Sequence, residues 1–299
     1  MLKNPKYLSI FILTTLSIIW GSSFILIKKS LVGFDAGQVG ALRMIFAFIV
    51  LFPIAWPRLR TINLSQYKFL FIVGLTANLI PAFLFAYAET GLDSALTGIL
   101  NSLTPMFTLL VGIIAFKGKL HWGELLGLII GLLGSAGLSF VGASGELQSM
   151  NYYALFVIAA TICYGISANV IKSRLSEFTP KVLTSISIFT IAPFAIGYLF
   201  TTDFFSHFSN SSQTWTSLGA VFLLGAVGTA FALILFNRLI QTTSAVSATT
   251  VTYLIPIVAV LWGIIDGESF FPLHLVGMVL IILGVYLVRK ANSKPKTVN

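Results

Sequence analysis

The chain of 299 residues is 57% hydrophobic and 9% charged, with a net charge of +9. A water-soluble protein carries about 25% charged residues, so a mean hydropathy of +0.97 excludes a solvated surface and makes lipid the solvent. The positive excess is then a matter of membrane side, and no basic stripe on a soluble module, the footprint of nucleic-acid binding, is present.

A spanning helix needs about 20 mostly apolar residues. Lys3 and Lys6 precede the first such run. It has no small-residue cleavage site, so it reads as a span and not as a removed signal. In chain order the sequence predicts ten spans: Tyr7–Ile27, Ala36–Trp56, Tyr67–Tyr87, Ser94–Phe116, Trp122–Gly142, Tyr152–Ile171, Val182–Phe200, Thr214–Phe236, Ser244–Ile265 and Pro272–Val288. The connections are short. The longest, Thr201–Gln213, is rich in Ser, Asn and Thr and reads as a surface loop. Cys163, the single cysteine, lies within a span and excludes an intramolecular disulfide.

Lys and Arg set the orientation. With both termini in the cytoplasm, the inside segments hold Lys3, Lys6, Arg58, Arg60, Lys68, Lys117, Lys119, Lys172, Arg174, Lys181, Arg238, Arg289, Lys290, Lys294 and Lys296. The outside loops hold Lys28 and Lys29, and Arg43 lies within the second span. The acids Asp35, Glu89, Asp93, Glu146, Asp203, Asp266 and Glu268 fall outside. The expected location is a multi-pass place in a bacterial-type inner (plasma) membrane.

The two halves repeat. Ile19-Trp20-Gly21 and Lys28 match Cys163-Tyr164-Gly165 and Lys172 at an offset of 144. From the third span the offset is 151: Gly74 with Gly225, Leu103 with Leu254, Pro105 with Pro256, and Leu110–Ile114 with Leu261–Ile265. Gly127 and Gly134 then match Gly277 and Gly284. Five spans per half is an odd number, so the second half is inverted. The expectation is an all-α membrane protein of ten transmembrane helices in two inverted five-helix repeats, residues 1–145 and 150–290, with a short basic tail at 291–299. Inverted repeats with interrupted helices near the midplane are the pattern of secondary transporters.

The run Ile19-Trp-Gly-Ser-Ser-Phe24, Leu42-Arg43 and Ala95–Gly112 in the first half resembles the EamA-type branch of the drug/metabolite transporter superfamily. Tyr164-Gly165, Ala245 to Pro256, and Gly267-Glu268 before a last span with Gly277 and Gly284 do so in the second. Two departures are Lys117-Gly118-Lys119, where the family more commonly has an acid, and Ser187 at the position matching Arg43. The resemblance implies a cavity lined by the first four helices of each unit. It also implies export of small metabolites, such as amino acids or related compounds, by alternating access.

Ionisable residues within spans are costly and read as functional. Arg43 either holds a substrate carboxylate, pairs with Glu89 or Asp93, or reaches an interface. Asn78 stands three residues before Pro81, where its amide could meet the carbonyl freed by that proline. Asn101, Thr104 and Thr108 surround Pro105, and Thr249, Thr250, Thr252 and Tyr253 precede Pro256; Asn169, Thr229, Asn237 and Gln241 complete the polar set. Such groups both donate and accept, as a zwitterion or polyol requires, or else they join helices. Trp20 and Tyr164 occupy matching positions as aromatic walls or packing. The binding set is Trp20, Ser23, Arg43, Asn78, Asn101, Thr104, Tyr164, Asn169, Thr229 and Tyr253, with Pro105 and Pro256 as hinges. Gly127-x-x-x-Gly131 and Gly134 permit close packing within the chain, or against a second copy in a homodimer.

His121, His207 and His274 are scattered without metal-site spacing, and no Walker-type loop is present. No cofactor, ATP or catalysis is expected; the expected partners are a small-molecule substrate and the bilayer. The alternative is a membrane-embedded enzyme or flippase for lipid-linked substrates, which needs acids or histidines clustered at one interface. The outside acids are spread over five loops.

Overall fold

A computed structural model describes residues 5–116, 122–138, 151–205, 211–243 and 245–292, and every regular element among them is helical. The first half holds α1 (Pro5–Leu31), α2 (Ala36–Ala55), α3 (Leu64–Val73), α4 (Ile80–Ala88), α5 (Ser94–Asn101), α6 (Thr104–Phe116) and α7 (Trp122–Leu138). The second holds α8 (Tyr153–Arg174), α9 (Pro180–Phe200), α10 (Ser212–Leu223), α11 (Ala232–Thr242), α12 (Ala245–Thr249), α13 (Ile255–Ile265) and α14 (Pro272–Asn292). Wide-turned π segments at Gly74–Leu79 and Leu224–Phe231 carry α3 into α4 and α10 into α11.

Seven runs among the described residues are long and apolar enough to cross a membrane: Phe11–Leu31, Ala36–Thr61, Leu64–Ala88, Ser94–Phe116, Tyr153–Arg174, Pro180–Phe200 and Ser212–Thr242. Val251–Ile265 and Pro272–Gly284 are shorter apolar helices, as is α7 with 17 residues. Seven of the ten expected spans thus have a run of crossing length, and the fifth, ninth and tenth are met by these shorter apolar helices. The end of the fifth span at Gly142, the start of the ninth at Ser244, Lys117–Lys119, His121, His207, the boundary between the halves and the tail from 293 lie outside those residues. Polarity runs opposite to that of a soluble protein. Phe11, Ile18, Ile49, Leu133, Phe194, Ile264 and Val276 are exposed, while Asn78, Asn101, Thr108, Thr184 and Asn237 are buried. A wall of this kind is stable against lipid and not against water.

Charge separates between the two ends. At one end Lys28 Nζ lies 2.8 Å from both Asp266 Oδ2 and Glu268 Oε1, and Lys29 pairs with Asp266. Gln38 Nε2 donates to Asp203 Oδ1 at 3.0 Å. At the opposite end Lys172 Nζ donates to the carbonyls of Ile240 and Gln241 at 3.2 Å, a cation on the closing turn of α11 where the helix dipole favours it. Gln241 Nε2 in turn donates to Phe178 O at 2.7 Å.

Each half packs on the other through equivalent glycines. A Cβ on Gly21 of α1 would lie 2.5 Å from Val258 of α13, and one on Gly165 of α8 would lie 2.8 Å from the Phe107 carbonyl carbon of α6. These contacts are one contact made twice, since 21 + 144 = 165 and 107 + 151 = 258. Likewise a Cβ on Gly74 would lie 2.5 Å from Ser187 O and one on Gly225 would lie 2.7 Å from Arg43 O, with 43 + 144 = 187. Gly131, Gly134 and Gly284 of α7 and α14 meet neighbours within the chain, while Gly137 faces open space. Gly134 rests on Leu280 and the Gly277 carbonyl, and Gly284 on the backbone of Gly127 and Gly131.

The expected fourth and ninth spans are each two helices meeting at a break, and they run antiparallel: α5 packs on α13, and α6 on α12. Pro105 and Pro256 therefore do not kink continuous helices; each stands in the first turn of a new one, where a missing N–H costs little. Pro105 frees the Asn101 carbonyl four residues back, and Thr104 Oγ1 donates to it at 2.7 Å. Ser102 Oγ donates to Ile99 O at 2.6 Å, and Thr252 Oγ1 to Thr249 O at 2.9 Å. Hydroxyls thus stand in for the water that hydrocarbon lacks.

Candidate functional site

The two π segments are built alike. Asn78 Nδ2 donates to Val73 O at 3.4 Å, and Thr229 Oγ1 donates to Leu224 O at 3.0 Å. Each bond reaches back five residues, the spacing of a π turn, and 151 separates both members of the two pairs. Asn78 therefore serves its own wide turn, and not the carbonyl freed by Pro81 as the sequence suggested. The proline is not required for this geometry: Ala232 stands at its equivalent in the second half, and the π turn forms there too.

Between the π segments lies a cavity with about 920 Å³ of empty space, including the part that opens to solvent. Its lining carries the repeat. Adding 144 to Trp20, Ser23, Ile27 and Arg43 gives Tyr164, Ser167, Ile171 and Ser187, and all eight line it. Adding 151 to Ala77, Asn78, Ala82, Phe85 and Asn101 gives Gly228, Thr229, Leu233, Phe236 and Thr252, and all ten line it. The cavity lies where the two halves relate to one another, beside the interrupted helices.

The symmetry fails at one charge. Arg43 Nε donates to Thr229 Oγ1 at 2.9 Å, so the hydroxyl that closes the second π turn also holds the guanidinium of the first half. Among the described residues no acid lies within ion-pair distance of Arg43, and its two terminal nitrogens have no hydrogen bond to protein. A planar fork so presented fits a carboxylate. Asn78 offers the complementary group. Its Oδ1 is buried without a hydrogen-bond partner, and the amide cannot be turned, because Oδ1 would then face the Val73 carbonyl.

Aromatic rings shape the walls. Trp20 Nε1 donates to Gly228 O at 2.9 Å and its ring meets Phe236 edge-on. Phe85 stacks on Tyr164 with centroids 5.9 Å apart and meets Phe24 edge-on. Towards the basic end, Asn237 Nδ2 donates to Thr184 Oγ1 at 2.8 Å.

Of the ten binding residues read from the sequence, Trp20, Ser23, Arg43, Asn78, Asn101, Thr104, Tyr164 and Thr229 line this space. Asn169 does not: its Nδ2 donates to the carbonyls of Thr108 and Gly165, both at 2.8 Å, which joins α8 to α6. Tyr253 also lies off the lining and packs against the core, while its neighbour Thr252, the equivalent of Asn101, faces inward. Applying the repeat offset to Ser23, Arg43 and Asn101 would have named Ser167, Ser187 and Thr252. Phe85 and Phe236 carry no polar signal in the sequence.

Ile27, which lines the cavity, directly precedes Lys28 of the ion pairs. Gly267 takes φ +83° and closes α13, with Gly267 N donating to Ile264 O and Glu268 N to Gly263 O, a helix end that favours glycine. This turn delivers Glu268 to the start of α5, where its carboxylate accepts from Ser94 N and Ala95 N at 3.0 Å and from Ser94 Oγ at 2.7 Å. Burial pushes the Glu268 carboxyl up, but hydrogen bonds from Lys28, Ser94 and Ala95 outweigh it and hold it below the ordinary value. Hydrogen bonds from Lys28 and Lys29 hold Asp266 down as well. No group of three or more metal-ligating side chains occurs among the described residues.

Comparison with known proteins agrees with this architecture. The sequence pattern of the EamA-like transporter family matches twice, at residues 7–140 and 151–290. Among similar proteins are Protein PagO of Salmonella typhimurium, 24% identical over 94% of this chain and 92% of that one, and a probable terminal-alkyne amino-acid exporter of Streptantibioticus cattleyicolor, 22% identical over 97% and 95%. A probable amino-acid metabolite efflux pump of Escherichia coli is 25% identical over 90% and 91%. A solved crystal structure superposes with a TM-score of 0.65 at 16% identity, covering 95% of this chain and 99% of that one, which shows a shared fold. With the family pattern present in both halves, this chain is a multi-pass membrane protein belonging to the EamA-like transporter family.

Proposed function

We propose that this transporter is a secondary exporter of small carboxylate-bearing metabolites, amino acids or related compounds, working by alternating access. The observation that carries the reading is Arg43: a guanidinium anchored by the opposite half, with free donors, in a cavity lined by equivalent residues of both halves. A cargo carboxylate binds Arg43, and a cargo amine binds Asn78 Oδ1. The two halves, 1–145 and 150–290, are inverted five-helix repeats of a ten-span protein in the inner membrane with both termini cytoplasmic. Support for the orientation is the basic end that gathers Arg58, Arg60, Lys68, Lys172, Arg174, Lys181 and Arg238. Relatives named for amino-acid export and amino-acid metabolite efflux support the cargo class. The breaks at Pro105 and Pro256 are the hinges, and the paired glycine contacts are the surfaces on which the halves rock.

The test is counterflow in proteoliposomes loaded with unlabelled amino acids and given a radiolabelled amino-acid mixture outside. Label should accumulate transiently in vesicles holding the folded protein. Vesicles no faster than protein-free ones would overturn the proposal.

A further inference from the structure

Glu89 is unused by the cavity chemistry and is the least satisfied charge-bearing group at the acidic end. It follows α4 directly, its N–H donates to Phe85 O at 3.1 Å, and it is 9% exposed. Neither carboxyl oxygen has a hydrogen-bond partner; the Lys28 backbone faces it without reaching hydrogen-bond geometry. Ionised in that place, the carboxylate would be a bare buried charge, which costs several kcal/mol unless something neutralises it. Lys28 is already committed to Asp266 and Glu268. Phe85, one turn earlier, lines the cavity.

Charged groups reach Glu89 from three elements: Lys28 of α1, Arg43 of α2 and Glu268 of the loop between α13 and α14. Helix α8, also packed on α4, brings Tyr153 against Gly91 and Tyr164 against Phe85. Arg43 thus acts on Glu89 through its charge alone, from beyond ion-pair distance, while its guanidinium faces the cavity. An anion placed on Arg43 removes part of the positive potential that favours an ionised Glu89, so cargo carboxylate and proton bind more readily together than apart. We propose that Glu89 is a proton-binding site and that, through Arg43, the protein carries one proton out with each exported carboxylate, driven by the outward gradient of the cargo itself. This rests on the transport reading for the cargo, but not for the proton site. The proton comes from water on one side and returns to water on the other, with no other bond made or broken.

Two readouts test it. Infrared difference spectra of the protein in nanodiscs, recorded across a pH titration, report the carbonyl stretch of a protonated carboxyl without any cargo. A band is expected at neutral pH that is lost in Glu89→Gln, shifted in Glu89→Asp and kept in Asp93→Asn. A band unchanged by Glu89→Gln, or no band in the parent protein, overturns the site. In proteoliposomes with entrapped pyranine and the amino-acid mixture, inward proton flux should accompany net cargo entry. Glu89→Gln should keep cargo exchange while its proton flux falls to background. Proton flux per cargo unchanged in Glu89→Gln overturns the coupling. A normal band with no cargo flux refutes the transport reading and leaves the proton site standing.

Discussion

Arg43 shows how one residue can belong to both halves of a duplicated protein. Its charge comes from the first half and its orientation from Thr229 of the second. Arg43→Gln should remove charge-assisted bonds worth about 1.5–3 kcal/mol, raising KM about 10–100-fold for carboxylate cargo in proteoliposome uptake. An equal loss for neutral or cationic solutes would mark a structural role. Thr229→Val keeps the charge and frees its anchor, so it should raise KM less. Asn78→Ala should weaken cargo bearing an amine and spare deaminated analogues. Arg43 was legible in the sequence because a charge inside an apolar run has few explanations. Asn169 was misleading for the converse reason: an amide inside a span binds cargo or joins helices, and only the 2.8 Å bond to Thr108 O decides which. The partner of Asn78 was hidden because the sequence displays prolines openly, while a π turn has no comparable mark.

At the scale of elements, the paired prolines located the breaks, but the side chains around them hold the breaks open. Thr104 satisfies the carbonyl freed by Pro105, and Ser102 and Thr252 bond further carbonyls beside the breaks. Pro105→Ala and Pro256→Ala should therefore leave expression near the parent level and lower transport, by allowing each pair of short helices to join during the cycle. Parent rates in both variants would remove the hinge. Gly267 is a second control point. Its positive φ costs a residue with a Cβ about 1–2 kcal/mol, and the turn places Glu268 on α5. Gly267→Ala should lower the Tm of the detergent-solubilised protein, and Glu268→Gln combined with it should add little. The sequence put Gly267-Glu268 before the last span, but gave no sign that the carboxylate caps a helix some 174 residues away. Contacts at that separation leave no local pattern.

At the scale of the molecule, the duplication organised everything else, and it was readable because two constant offsets survive in the sequence. The same offsets generate most of the cavity wall, glycine contacts included. The acidic end carries a strap joining Lys28 and Lys29 to Asp266 and Glu268. Both acids have lowered folded-state pKa values, so their contribution is complete above the ordinary carboxylate range and is lost as pH falls through their depressed values. The Tm should accordingly hold from neutral pH down to that range and drop below it. Glu268→Gln should flatten the drop; an identical pH profile in that variant would show that the strap does not contribute.

Alternating access around the shared cavity is tested most directly by two symmetry-related wall positions. In a Cys163→Ser background, Phe85→Cys and Phe236→Cys place single thiols at equivalent sites, the first towards the acidic end and the second towards the basic end. Their reaction with a membrane-impermeant maleimide, applied from the side nearer each, is then measured with and without the transported amino-acid mixture. Cargo is expected to raise reactivity at one position and lower it at the other. Equal changes at both positions, or none at either, would contradict it.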